Sequence, residues 1–257
     1  MVFLVVAPLC LAALVSARGG EAPLRYPVEP RQMLLVITPD WNAVSGELQR
    51  FELEDQTWRR VGPPIHIVVG RNGLGWGIGL HPLPQPGPQK REGDGKSPAG
   101  VFALESAFGY EPPEKMRILK LPYVQCTSSL ECVDDTNSAY YNQVLDRKSV
   151  PHPDWHSAEQ MRMTNGQYRL GVVVSHNTDP ARPGGGSCIF LHIWASPATA
   201  TSGCTAMREG DIEALASWLD LRANPVLVQL TQKEYDRLRT AWRLPEMVCL
   251  SAIEHTK

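Results

Sequence analysis

The sequence lacks a surplus of charge of either sign: 25 Lys and Arg stand against 27 Asp and Glu, a formal net charge of −2 over 257 residues. Without a basic footprint, nucleic acid is excluded as a partner. A second long apolar run is also lacking. Residues 1–17, MVFLVVAPLCLAALVSA, carry no charge, and the run from Val2 to Val15 falls short of the roughly 20 residues a bilayer span needs. No internal repeat and no low-complexity tract occurs. The glycines at 73, 75, 77 and 79 alternate, but no Lys-Ser/Thr pair follows and no helix opens there. They read as a glycine-rich strand and loop that another backbone approaches closely, not as a phosphate cradle.

What is present begins with that apolar leader. Val15, Ser16 and Ala17 form a small-residue cleavage site ahead of Arg18, so residues 1–17 are expected to be a cleaved secretion signal, with an uncleaved anchor or a buried segment as alternatives. The mature chain is then expected to be periplasmic or secreted, with no stable membrane span. Loss of Cys10 with the signal leaves Cys126, Cys132, Cys188, Cys204 and Cys249, an odd set in an oxidising compartment. A local Cys126–Cys132 bridge is the simplest expectation. Cys188 and Cys249 are buried thiols or a pair.

After a Pro-rich linker at 18–31, QMLLVITPD reads as a buried strand, and GELQRFEL, TWRRVG and IHIVVG as strand-like runs of an antiparallel meander. VFAL resumes as a strand. Residues from about 104 to 165 are polar and irregular, an insertion of the kind that roofs a site on a rigid scaffold. YRLGVVVSHN and SCIFLHIWAS read as paired central strands, EGDIEALASWLD as a helix with Ile212, Leu215, Trp218 and Leu219 on one face, and NPVLVQL as a strand. Thr231 and Glu234 stand at capping-box spacing before a last helix. The fold class is mostly β with a few helices (α+β).

Chemistry concentrates in FLHIWASPATATSGC. His192 sits in a strand, and Cys204 follows twelve positions on, after a loop that can fold back. A free thiol is mostly protonated at neutral pH, and an imidazole within reach repairs this by taking the proton. Ser202, Gly203 and Thr205 around the thiol are small or polar, and Gly203 can turn the backbone so that N–H groups face an oxyanion. Spacing alone leaves three readings of Cys204 open: nucleophile, disulfide partner of Cys188 or Cys249, or buried thiol. In HPDWH, His152, Asp154 and His156, with His176, make a zinc set the alternative, without the helical HExxH context that would align it. Asp154, Trp155 and Glu159 otherwise belong to the roof.

FLHIW followed by TSGCTAM resembles the active-site motif of the L,D-transpeptidase catalytic domain family, the YkuD-type cysteine enzymes of bacterial peptidoglycan. GDGKSPAGVFAL is similar to that family's TPxGxF segment, and QMLLVITPDWNAVSGELQRFEL to its opening meander. The resemblance covers roughly residues 32–230 and implies an L,D-transpeptidase-like β-sandwich over that range, followed by a C-terminal helical extension at 231–257. It implies Cys204 as nucleophile, His192 as its base, the backbone at Gly203 and Cys204 as oxyanion stabiliser, and peptidoglycan stem peptides as substrate, with no metal or organic cofactor. Ser202, Thr205, Arg208, His176 and Trp194 are the expected substrate-binding residues. The implied reaction is attack of the thiolate on a stem-peptide carbonyl, giving a thioester that an amine resolves as a cross-link. The alternatives are water as acceptor (an L,D-carboxypeptidase), a zinc hydrolase, or a non-catalytic wall-binding domain. This chain departs from the family motif where Ser202 replaces a His, where Ile193 follows the catalytic His, and where Ala206 replaces an Arg or Asn.

Overall fold

The computed structural model describes residues 21–24 and 26–247. The expected signal peptide, Cys10, Cys249 and the end of the C-terminal extension lie outside the described residues. In chain order the elements are β1 (Gln32–Thr38), β2 (Ser45–Glu54), β3 (Thr57–Val68), β4 (Leu74–Trp76), β5 (Ser97–Gly109), β6 (Tyr123–Gln125), β7 (Leu130–Val133), β8 (Val144–Asp146), β9 (Ala158–Gln160), β10 (Leu170–Val174), β11 (Phe190–Ile193), β12 (Thr205–Met207), α1 (Glu209–Trp218), β13 (Val226–Thr231) and α2 (Gln232–Leu238). The protein is thus mostly β with a few helices, as its strand-like runs imply.

Every residue of β1 is buried, because the strand lies between antiparallel β2 and parallel β13 and is covered on both faces. β2 and β3 form a hairpin whose two turn residues, Asp55 and Gln56, both have positive φ, the geometry that matches the twist of the flanking strands. The runs TWRRVG and IHIVVG are one strand rather than two. A bulge opposite Gln49 absorbs Gly62, Pro63 and Pro64, which cannot all join the ladder.

The main sheet runs β10-β11-β12-β3-β2-β1-β13-β5-β4, and β10 also pairs with β5. β5 makes that closure possible by being long: residues 100–103 pair with β13 and residues 104–109 with β10. The sandwich is therefore one sheet returned on itself, with its main core of Leu, Val and Ile side chains inside. Close approach explains the alternating glycines: a Cβ at Gly79 would lie 2.2 Å from the Val101 carbonyl oxygen.

The expected insertion starts later than residue 104, because Leu104 to Gly109 continue β5. It is also ordered: β8-β7-β9 form a second, three-stranded sheet. Their strands are three or four residues long, too short for a sequence period to reveal. α1 buries Ile212, Leu215 and Ala216 against β10 and β11, while Trp218 is only half-buried and donates to Glu52. α2 opens as expected, the Thr231 hydroxyl accepting from the Glu234 N–H at 3.2 Å. The segment expected as linker packs down at its described end: Trp242 donates to the Ala22 carbonyl, and Leu24 and Tyr26 lie against the core.

Candidate active site

The site is built from period-two alternation on β11. Leu191 and Ile193 point into the main core, so Phe190 and His192 point the other way, toward a second cluster that contains Phe108, Tyr168, Phe190 and Cys204. β12 pairs with β11 in parallel, His192 opposite Ala206. One step back from Leu191–Thr205 in that register puts Cys204 beside Phe190, on the face that His192 shares. The loop between them arches over the end of β3, where Thr201 donates to the Val69 carbonyl at 2.9 Å.

A cleft of about 490 Å3 receives both side chains. His192 Nδ1 lies 2.8 Å from the Ile193 carbonyl oxygen; a proton on Nδ1 satisfies that contact and leaves Nε2 as the basic nitrogen. The carbonyl does this whatever side chain residue 193 carries. Burial lowers the His192 pKa to about 4, against the small upward pull of that carbonyl. The Cys204 Sγ accepts from the Phe190 N–H at 3.3 Å and donates to the Cys188 carbonyl at 3.5 Å. Burial first, and the Glu159 carboxylate second, push its thiol up to about 12, opposed by the Phe190 N–H, the Tyr168 hydroxyl and Lys90. With the imidazole so much weaker a base than the thiolate, the resting pair is neutral thiol and neutral imidazole.

Of the other sequence-derived site residues, Gly203, Ser202 and Trp194 line the cleft. The Gly203 N–H is already given to Thr201 Oγ1 at 3.1 Å. Thr205, Arg208 and His176 are placed outside it. Thr205 is buried with its hydroxyl on Gln229, Arg208 pairs with Asp211 at the start of α1, and His176 is buried between the Ile78 N–H and the Gly185 carbonyl. His152 and His156 are exposed, and Asp154 receives Ser138 and the Ala139 N–H, so these residues and His176 do not converge. Among the described residues no group of three or more His, Cys, Asp or Glu could hold a metal ion.

Two residues singled out by neither motif nor spacing line the cleft. Arg71 donates to Ser202 Oγ at 3.2 Å and has no ion-pair partner among the described residues; it arrives from the loop after β3. Tyr168 packs edge-on to the His192 ring, centroids 5.1 Å apart, just ahead of β10. The available signal for Tyr168 was its position three residues before Gly171, the residue opposite His192.

The disulfide differs from expectation. Cys132 of β7 bonds Cys188, and Cys126 and Cys204 are buried free thiols. The Cys126 backbone is anchored by its N–H to the Gly109 carbonyl at the end of β5, whereas Cys132 belongs to the roof sheet and meets Cys188 there. The bond thereby fastens the roof to the strand that carries His192. With a sequence separation of 56, chain entropy gives it about 4 kcal/mol of stability. Cys132→Ser is expected to lower the urea midpoint accordingly, and a midpoint equal to that of the oxidised wild type would show that the bond adds no stability.

The profile of the YkuD L,D-transpeptidase catalytic domain matches residues 39–228. No curated protein matches the chain. A solved structure, that of the helical cell shape determining protein Pgp2 from Campylobacter jejuni, aligns at 14% identity with a TM-score of 0.38, over 82% of this chain and 51% of that one. This chain therefore spans about half the length of that protein. With most of its described length inside the profile match, the chain belongs to the L,D-transpeptidase catalytic domain family.

Proposed function

We propose that the protein is a peptidoglycan L,D-transpeptidase acting through Cys204, exported to the periplasm or beyond. The observation that carries this reading is the parallel β11–β12 register, which sets Cys204 and a carbonyl-tethered His192 on one face of one cleft. The Cys132–Cys188 bond supports an oxidising compartment.

Since the resting pair is neutral, His192 Nε2 takes the thiol proton as sulfur attacks rather than beforehand. The attacked carbonyl is that of a stem-peptide diamino acid followed by D-alanine. Its oxygen becomes an oxyanion, for which the Cys204 N–H is the available donor because the Gly203 N–H is engaged by Thr201. Collapse expels D-alanine, whose amine takes the proton from His192, and leaves a thioester on Cys204. A neighbouring stem's amine then resolves it as a cross-link; water would give the shortened stem.

Ala206 leaves no cation two residues after the nucleophile, and Arg71 supplies one at the Ser202 turn instead. Its guanidinium suits the terminal carboxylate of the donor. Incubation with stem tetrapeptide, read by mass spectrometry, is expected to release D-alanine and give cross-linked dimer. Absence of both products, with Cys204 unmodified by a carbapenem, would sink the reading. Arg71→Ala is expected to raise the donor KM by about tenfold, the size of one exposed charge-assisted hydrogen bond, with kcat nearly kept. An unchanged KM would remove Arg71 from recognition.

A further inference from the structure

The Ser202 hydroxyl has no part in that mechanism, yet it touches the one cation assigned to the donor. Arg71 is exposed, and an exposed arginine ordinarily samples many rotamers. Three contacts restrain it here. Its N–H donates to the Thr201 carbonyl at 2.9 Å, its Nη1 donates to Ser202 Oγ at 3.2 Å, and its guanidinium lies over Gly95, where a Cβ would stand 3.0 Å from Cζ and Nε. Gly95 has φ +68°, a left-handed conformation that glycine takes without steric cost. A guanidinium has five N–H donors. Ser202 takes one, and no other side-chain hydrogen bond of Arg71 exists among the described residues, so four are left for a ligand.

The nucleophile is fixed to the same frame. Ser97, fully buried at the start of β5, accepts from the Gly70 N–H at 2.8 Å and donates to the Cys204 carbonyl at 2.8 Å. A carbonyl only accepts and an amide N–H only donates, so the direction of both bonds is settled. Thr201 donates to the same Cys204 carbonyl at 2.6 Å, and its own N–H reaches the Val69 carbonyl. Residues 69–71 thus carry the cation, residues 201–204 carry Ser202 and the thiol, and one buried hydroxyl joins the two stretches.

We propose that Ser202 is a positioning residue, acting through Arg71, that sets how far beyond the attacked carbonyl a donor carries its terminal carboxylate. The proposal rests on the reading of Cys204 as nucleophile and Arg71 as carboxylate partner. In a stem tetrapeptide the carboxylate belongs to the residue directly after that carbonyl. One further residue moves it by roughly 3.3–3.6 Å. A charge-assisted hydrogen bond is made at about 2.7–2.9 Å, so a guanidinium held to the nucleophile's own turn meets the carboxylate of one stem length and misses that of the next. An unheld arginine would follow either. Ser202 stands two positions before Cys204, and the gauge is therefore measured from the thiol itself.

The test compares kcat/KM for a stem tetrapeptide with that for the same stem extended by one D-alanine, with release of D-alanine or D-alanyl-D-alanine read by mass spectrometry. The wild type is expected to favour the tetrapeptide. Ser202→Ala, at an exposed position, is expected to lower that preference about twofold to tenfold, the span of one hydrogen bond, through a higher tetrapeptide KM with kcat nearly kept. Ser202→Thr retains the acceptor oxygen and is expected to restore the preference. In Arg71→Ala the preference is already lost, and adding Ser202→Ala is expected to change nothing further. A merely structural role for Ser202 would lower kcat for both stems alike and leave their ratio where it was. Equal use of both stems by the wild type, an unchanged ratio in Ser202→Ala, or an undiminished effect of Ser202→Ala on top of Arg71→Ala would overturn the proposal while leaving Cys204 as nucleophile. Turnover of neither stem by the wild type would instead overturn the reading of Cys204, and the proposal with it.

Discussion

Cys204→Ala is expected to abolish D-alanine release and carbapenem adduct formation together, with a loss in turnover on the order of 10^6, the scale seen when a covalent nucleophile is removed. The loss is so large because nothing in the cleft can substitute. The other free thiol among the described residues, Cys126, belongs to the same apolar cluster but does not line the cleft, and burial pushes its pKa up to about 12 as well. Ser202 is exposed and its oxygen accepts from Arg71, a contact that does not activate a hydroxyl as a base would. The fold is expected to survive the substitution. The sulfur loses two long contacts, from the Phe190 N–H and to the Cys188 carbonyl, both backbone groups at or just before β11, which β10 holds on its other side. Intact-mass spectra of wild type and variant after carbapenem exposure give the measurement. A persisting adduct on the variant would move the nucleophile elsewhere and remove the basis for reading β11–β12 as the catalytic pair.

What the sequence disclosed of this site follows from how locally each part is encoded. β1, β2, β10, β11 and β13 show as apolar or alternating runs, and α1 and α2 as helical periods, because burial of one face or both is written in consecutive residues. His192 and Cys204 share a strand-loop-strand segment, so their relation is within one quotable motif. The roof is different: β7, β8 and β9 gain their pairing from each other over 30 residues of polar chain, and none has an apolar period of its own. The disulfide depends on that pairing, which is why local spacing pointed to Cys126 rather than Cys188. Arg71, Tyr168 and Glu159 line the cleft from three separate stretches of chain that only the tertiary fold brings together. Arg208, Thr205 and His176 illustrate the converse. Closeness in sequence to Cys204 or to a strand end suggested contact with substrate, but alternation turns Thr205 inward, α1 begins at Arg208, and the Gly185–Gly186 loop closes over His176.

His192→Gln should lower kcat by about 10^2 to 10^4, the usual contribution of a positioned general base, with donor KM little altered. The pH dependence carries more information than the loss. Burial keeps the wild-type imidazole neutral down to about pH 4, so the base is competent across the range in which an ordinary imidazole, near 6.5, would already be protonated. The acid limb of kcat/KM is therefore expected near pH 4, and a limb near 6.5 would mean that His192 is solvated in the working enzyme. Stability has the same sign and must be followed in parallel. His81 and His176 are also buried and neutral, lowered to about 4 and about 3 by desolvation. Between the unfolded value and these folded values the unfolded chain binds more protons, so stability falls as pH drops from about 6.5 toward 4. Tryptophan fluorescence at each pH separates the two effects. If the signal is native while activity falls, protonation of His192 sets the limb. If both fall at one pH, the three buried imidazoles are being protonated through unfolding, and the limb in His192→Gln residual activity, still subject to His81 and His176, should then coincide with that of the wild type.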